Sequence, residues 1–328
     1  MIPNQWYVVL DSDQVRAGRP IGVTRLGERL VFWRDQAGRV ACLRDQCVHR
    51  GAALSAGRTL GDHIQCPFHG LEYDATGRCR FIPCNGKSAA VPEQFRVAGY
   101  PTREAHGYIY IWWGEARAEL PEPPFFEDID SSFVYGRVYD PWATHYSRAI
   151  ENQLDVAHLP FVHYNTIGRG NRTLVDGPLA RIDDKGITVW THNRIDDGSR
   201  ALRADELPEP HVQFRIEYLF PNLWQNHITE STRIVIAFVP VDDEHTILYL
   251  RYYQNNVRVS LLGRLVSQLG ARASLIIAHQ DRRVVVTQQP KPSALRSGEK
   301  LVQADGPILM YRRRRQELID AARHSAGS

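Results

Sequence analysis

Two short hooks carry the residues best suited to chemistry. The first reads Cys47-Val48-His49; after sixteen residues the second reads Cys66-Pro67-Phe68-His69. Each hook holds one thiol and one imidazole. Tetrahedral zinc takes the same residue types, but zinc fingers usually keep cysteine with cysteine and histidine with histidine. Mixed hooks suit a two-iron cluster in which one iron takes both cysteines and the other both histidines. Replacing two thiolates by neutral imidazoles removes negative charge and raises the potential to about −150 to +300 mV.

A second dense stretch runs Glu151-Asn152-Gln153-Leu154-Asp155-Val156-Ala157-His158-Leu159-Pro160-Phe161-Val162-His163. On a helix over residues 143–157, Asn152, Asp155 and His158 fall three apart and share one face. A polar stripe turned inward is costly unless its members satisfy one another or bind something. His163 would point away on a continuous helix, but Pro160 disfavours helix at Leu159 and lets the chain turn back. Two histidines and one carboxylate make the facial triad of non-haem Fe(II) oxygenases. Asp281, where an apolar helix turns polar, is the best-placed carboxylate. The bland alternatives are a surface acid paired with Arg282 or Arg283 for Asp281, a helix residue paired with Arg148 or water for Asp155, and a core and a rim histidine for His158 and His163.

The first pattern, with the Arg50-Gly51 and Gly70 that follow its hooks, resembles the Rieske motif. The second resembles the E-N-x-x-D-x-x-H-x-x-x-x-H signature of Rieske non-haem iron oxygenase α subunits. The resemblance implies a Rieske [2Fe-2S] cluster on Cys47, His49, Cys66 and His69, and a mononuclear Fe(II) on His158, His163 and Asp281. It implies that Asp155 bridges the centres, bonding His158 and, across a subunit boundary, His69 of a neighbouring chain. Asn152, one turn earlier, would tune access to the iron. Electrons from NAD(P)H would arrive through a separate ferredoxin or flavin reductase, and dioxygen would be the co-substrate. The chain is shorter than ring-dihydroxylating α subunits, so it looks more like the α-only monooxygenases, which include O- and N-demethylases and form homotrimers. The expected function is monooxygenation or oxidative demethylation of a small organic substrate, aromatic or cyclic. The alternatives are the α subunit of a cis-dihydroxylating dioxygenase, a Rieske electron carrier and a zinc-binding module.

The elements that must position these residues are legible in outline. Short β-like runs and turns fill residues 6–43 and 97–113, so an all-β domain is expected over residues 1–116. The proline-rich stretch at residues 119–124 reads as a stiff linker. Residues 117–328 are expected to form a catalytic domain. Long alternating runs near 133–139, 187–190, 212–220, 232–239 and 246–253 suggest one large antiparallel sheet. Helical patterns over about 257–284 and 307–323 flank it, giving an α+β class that the resemblance refines to a helix-grip type.

Composition excludes little but orders the alternatives. With 328 residues, 43% hydrophobic and 23% charged, the chain can bury ample core. A net charge of +3 gives no strong case for nucleic acid or an anionic membrane. No signal segment and no uninterrupted apolar span is expected; residues 257–277 carry arginines and read as amphipathic. Five cysteines, two of them in the hooks, leave an odd number that suits reduced thiols in the cytoplasm. Cys79 and Cys84 are expected as buried spectators. The run Arg312-Arg313-Arg314-Arg315 reads first as a solvated helix end with one or two arginines bonding acids, or as a docking patch for an acidic ferredoxin with Arg50, Arg58, Arg78 and Arg80. Pocket residues are expected among His192, Phe214, Tyr218, Phe220, Asn222, Trp224, Asn226, His227, Tyr252 and Tyr253.

Overall fold

The computed structural model describes residues 1–210, 215–257 and 259–326. Two compact units, essentially Pro3–Pro123 and Pro124–Ser328, meet inside the proline-rich stretch. Trp6 ties that stretch to the first unit by donating its indole N–H to the Pro121 carbonyl at 2.6 Å.

The first unit is built from small antiparallel sheets. Gln5–Asp11 pairs with Tyr108–Trp113, which pairs with Thr102–Ala105. A second sheet runs Ile21–Arg25, Glu28–Arg34, Val40–Arg44 and Gly99–Tyr100, and a third Arg58–Leu60, His63–Gln65, Glu72–Tyr73 and Cys79–Phe81. Apolar residues such as Tyr7, Val9, Phe32 and Ile111 close one core. Val31, Trp33, Leu43, Ile64 and Tyr73 close another, which also contains Cys47 and Cys66. Cys79 is buried as expected, but Cys84 is exposed, on a short turn after Pro83.

The second unit is one seven-stranded antiparallel sheet. Its order is Val134–Trp142, Thr246–Gln254, Thr232–Pro240, Leu223–Thr229, Ile216–Leu219, Gly186–Arg194 and Leu174–Ile182. The run expected at 212–220 begins outside the described residues, as does Phe214; its described part is the strand Ile216–Leu219. Two strands escape the pattern. Leu174–Ile182 is interrupted by Pro178 and a register shift between Asp176 and Leu179. Leu223–Thr229 carries Gln225, Asn226 and His227 where alternation would put apolar residues.

Four helices dress this sheet: α1 (Tyr146–Leu154), α2 (Leu159–Val162), α3 (Ser260–Val285) and α4 (Gly306–Ala326). α3 lies along the strands Val134–Trp142 and Thr246–Gln254. The approach is close enough that a Cβ on Gly136 would stand 2.3 Å from the Gln268 backbone nitrogen. By length and composition alone Leu261–Val285 could cross a membrane. In the fold it packs on the sheet instead and carries buried Asp281 near its end.

The helix expected over 143–157 is shorter. It stops at Leu154, and Asp155 adopts extended backbone with φ −76 and ψ 131. The cause is local: the Asp155 carboxylate accepts the Ala157 N–H at 2.7 Å, a turn that competes with helix. Asn152, Asp155 and His158 therefore do not share one helical face. Pro160 also acts differently from expectation, sitting in the first turn of α2, where it starts a helix instead of ending one.

The four consecutive arginines near the C-terminus divide in role. Arg312 is buried and bonds Glu151 at 2.7 Å and Glu299 at 2.6 Å. Arg148 completes the quartet, 3.2 Å from Glu151 and 2.7 Å from Glu299. These ion pairs pin α1 to α4. Arg315 donates to the Ser293 carbonyl at 2.6 Å, Arg314 pairs with Glu317, and Arg313 is exposed. Two arginines of the run thus bond acids, as expected of the helix end, but Arg312 does so from the interior and not from a solvated face.

Candidate metal centres and cavity

The two hooks fold identically although their spacings differ. In each, the cysteine N–H bonds to the carbonyl five residues on: Cys47 to Ala52 and Cys66 to Leu71, both at 2.8 Å. In each, the cysteine carbonyl accepts a glycine N–H four residues on: Gly51 at 2.9 Å and Gly70 at 3.1 Å. Those glycines have φ +74 and +73, a left-handed backbone that a side chain would strain.

Thiols and imidazoles separate by depth. Cys47 and Cys66 are both 2% exposed, whereas His49 and His69 lie on the exposed side. The two rings face each other edge on, 4.5 Å between centroids. Burial pushes the Cys66 thiol up, and the neighbouring Cys47 adds to it. Desolvation, His49 and Arg50 pull the His69 imidazole down, towards the neutral form a metal takes. Tyr73 lies 3.1 Å from the Cys47 sulfur, and burial pushes its phenol well up, so it stays protonated and able to donate. A sulfur-lined interior and a nitrogen-lined surface fit the [2Fe-2S] group.

In the second unit His158, His163 and Asp281 converge, their ligand atoms all within 4.8 Å of one another. His158 caps the start of α2 and His163 its end, so one short helix sets their spacing. The Nε2 atoms of His158 and His163 lie 3.3 Å and 3.0 Å from the same Asp281 oxygen. Burial by itself lowers the His158 imidazole, but Asp155 and Asp281 overcome it and raise it to about 9. Burial raises the Asp281 carboxyl, and the two histidines outweigh that to lower it. A set of two nitrogens and one oxygen is the donor set that suits Fe(II) in oxygenases. His158 Nδ1 is buried with no hydrogen-bond partner. Asp155 stands 3.7 Å from it, beyond a direct hydrogen bond within this chain.

Residues around these three orient them. Gln280 Oε1 is 2.7 Å from His163 Nδ1 and also accepts from the Thr166 hydroxyl at 2.8 Å. Asn152 and Gln153 donate amide N–H groups to Asp281 at 3.4 Å and 3.3 Å. Asn152 thus touches the carboxylate from its place on α1. Gln153 and Gln280 escaped sequence reasoning, although each is the chain neighbour of a residue it singled out. Neither bland pairing holds: Arg282 bonds Asp140 at 2.6 Å, and Arg148 bonds Glu151 and Glu299.

The three converging residues line a cavity of about 380 Å³. Trp224, Ile216, Ile234, Ile236 and Leu250 supply its sheet wall, and Ile277 and Ala278 of α3 face them. Of the residues expected at a pocket, Trp224, Asn226 and His227 border it. Tyr218 and Phe220 instead pack with Tyr311 of α4, and Asn222 donates to the Phe238 carbonyl at 3.0 Å. Tyr253 stacks near Tyr135, and Tyr252 lies against Gly270 of α3. His192 is exposed on its strand.

A second group of ligand-type residues, Asp128, Glu217 and His227, also clusters. Its carboxylates are already matched by arginine: Arg233 bonds Asp128 at 2.9 Å and Arg215 bonds Glu217 at 3.2 Å. Burial pushes the Glu217 carboxyl up, but His227 and Arg215 bring it down to about 2. With its charges paired, this cluster is a structural brace and not a cation site.

Residues 5–101 match the family model of the Rieske [2Fe-2S] domain, and residues 142–321 match the vanillate O-demethylase oxygenase C-terminal domain. The chain is 33% identical over 205 residues to the vanillate O-demethylase oxygenase subunit of Pseudomonas sp. (strain HR199 / DSM 7063), covering 59% of this chain and 53% of that one. It is 28% identical over 262 residues to the 3-chlorobenzoate-3,4-dioxygenase oxygenase subunit of Comamonas testosteroni, covering 74% and 57%. The chain spans from a quarter to just over half the length of the curated relatives it matches. Among solved structures, Pseudomonas putida CBB5 NdmA is similar with a TM-score of 0.78 at 22% identity, covering 98% of this chain and 92% of that one. At that identity the likeness is one of fold.

Proposed function

This chain belongs to the family of Rieske-type oxygenases whose catalytic half is the vanillate O-demethylase oxygenase C-terminal domain, and from that premise we propose that it oxidises a small aromatic or cyclic substrate by monooxygenation or oxidative demethylation. Cys47, His49, Cys66 and His69 hold the [2Fe-2S] cluster in this reading, and His158, His163 and Asp281 hold Fe(II). When bound, the two groups supply single electrons and dioxygen activation. The chain's own residues do the rest. Asn152 and Gln153 hold the Asp281 carboxylate, Gln280 fixes the His163 ring, and the isoleucine wall keeps water from the reacting carbon.

One observation carries the reading: two imidazoles and a carboxylate meet at the side of an apolar cavity large enough for a single-ring substrate. The names of the relatives, which include vanillate and dicamba demethylases, support demethylation. Electrons come from a separate ferredoxin or flavin reductase docking near the hooks, where Arg50, Arg58 and Arg80 are exposed. The working assembly is a homotrimer in the cytoplasm, in which Asp155 of one chain reaches His69 of the next. Exposed Val48 and Phe68 beside the hooks, and Phe161 and Tyr164 beside the histidine pair, give such an assembly apolar surface to cover.

The test is to reconstitute the full chain with iron and sulfide, add a surrogate reductase, and screen aromatic, methoxy, methylamine and sterol-like compounds under labelled dioxygen. Substrate-dependent oxygen uptake with one labelled atom per product, or formaldehyde release, is expected. A cis-diol carrying both atoms would transfer the chain to the dioxygenases. Oxygen uptake that no compound stimulates would refute an oxygenase.

A further inference from the structure

Strand register decides which sheet residues see the cavity. Asn226 pairs with Ile216 on one side and Ile234 on the other, and Ile234 pairs with Tyr252. The Tyr252 ring lies against Gly270 of α3, so this row of side chains faces the helix and the cavity. Two residues along, Trp224, Ile236 and Leu250 form the next row on the same face. Arg215, Glu217, Gln225, His227 and Arg233 alternate with these rows and belong to the opposite face. Arg215 and His227 do border the cavity, but their polar ends are bound to Glu217.

Asn226 is therefore an amide set in a wall of isoleucine, leucine and tryptophan. Of the other polar groups of the lining, Asn152 and Gln153 hold Asp281, the Ser274 hydroxyl donates to the Gly270 carbonyl at 2.9 Å, and Thr191 is exposed. Among the described residues the Asn226 side chain has no hydrogen-bond partner. A ligand that covers it without bonding it strands both a donor and an acceptor, which is penalised in an apolar site.

Resting on the oxygenase reading, we propose that Asn226 is the specificity-determining residue of the cavity and that it selects a neutral hydrogen-bonding group on an aromatic substrate, such as an amide or ring carbonyl. An amide side chain offers a matched donor and acceptor to such a group. A carboxylate fits less well: Arg215, the arginine at the cavity's edge, is already engaged by Glu217 at 3.2 Å, so an anion would lose its water while competing with Glu217 for that counter-charge. Asn226 then fixes which substrate carbon lies beside the metal ligands, a positioning role separate from the chemistry.

The proposal is tested by binding, without turnover, on the full iron-loaded chain. Dissociation constants are measured for 4-methoxybenzamide, 4-methoxybenzoate and 4-methylanisole by calorimetry or ligand-observed NMR. The wild-type chain should prefer the benzamide to the benzoate at least tenfold, about 1.4 kcal/mol. Asn226→Leu should weaken the benzamide about tenfold while leaving 4-methylanisole within twofold or tighter. A wild-type preference for the benzoate, or an Asn226→Leu chain that still binds the benzamide as before, overturns the proposal. The wild-type series decides even if the variant folds poorly. Selective binding in a chain that never consumes oxygen would sink the oxygenase reading and leave the recognition by Asn226 standing.

Discussion

Gln280 holds the Nδ1 edge of His163 at 2.7 Å, while its chain neighbour Asp281 faces the Nε2 edge of the same ring at 3.0 Å. Two consecutive residues of α3 thus grip one imidazole from opposite sides. With Gln280 Oε1 accepting from Nδ1, Nε2 would be the nitrogen left to a metal, and the Thr166 hydroxyl donates to Gln280 in turn. Gln280→Leu should lower iron affinity by about 10–100-fold. Competition with a graded chelator, read as iron retained per chain, checks this; retention equal to wild type would show that the grip is incidental.

The packing of α3 sets where Asp281 stands. Gly136→Ala would drive a methyl into the Gln268 backbone, and overpacking of this kind costs about 1–3 kcal/mol or more. The helix must shift outward and take Asp281 with it. Calorimetry should show a lower melting temperature, and metal analysis a loss of the mononuclear iron with the [2Fe-2S] absorbance intact.

Tyr73 donates towards the Cys47 sulfur at 3.1 Å in an interior where its phenol stays protonated. Hydrogen bonds to cluster sulfur stabilise the reduced state. Tyr73→Phe should therefore lower the reduction potential by some tens of millivolts. Redox titration of the visible spectrum would reveal this, and an unchanged potential would remove Tyr73 from the tuning of the cluster.

The Arg148, Glu151, Arg312 and Glu299 quartet makes stability depend on pH. Burial pushes the Glu299 carboxyl up, but Arg148 and Arg312 bring it down to about 2. Its folded value lies below an unfolded value of about 4.3, so the charged form stabilises the fold at neutral pH. That stability is lost as pH falls from about 4.3 towards about 2. Glu299→Gln should cost roughly 1–3 kcal/mol at neutral pH. Urea midpoints of variant and wild type should converge as the medium is acidified; a constant gap would exclude the linkage.

The hooks were legible because both ligands of each lie within four residues, where chain connectivity does the positioning. The histidine pair was legible for the same reason, though its scaffold was misread: the Asp155 turn and the place of Pro160 at the start of α2 depend on hydrogen bonds that residue periodicity does not encode. Asp281 was readable as a carboxylate at the end of an apolar helix. Gln280 and Gln153, in contrast, acquire meaning only once α1, α2 and α3 meet. The strand Leu223–Thr229 hid because its side chains answer to a cavity on one face and an ion-pair brace on the other, which erases alternation. Which arginine of the basic run turns inward was not legible, because its buried partner Glu151 lies far along the chain.

Counting metal in two proteins tests the central claim most directly. Iron and acid-labile sulfide are assayed in the reconstituted chain and in a His158→Ala, His163→Ala double variant. The account predicts about three irons and two sulfides per wild-type chain, and about two of each in the variant with its cluster spectrum unchanged. Zinc in place of iron, or a variant that keeps the full iron complement, would contradict it.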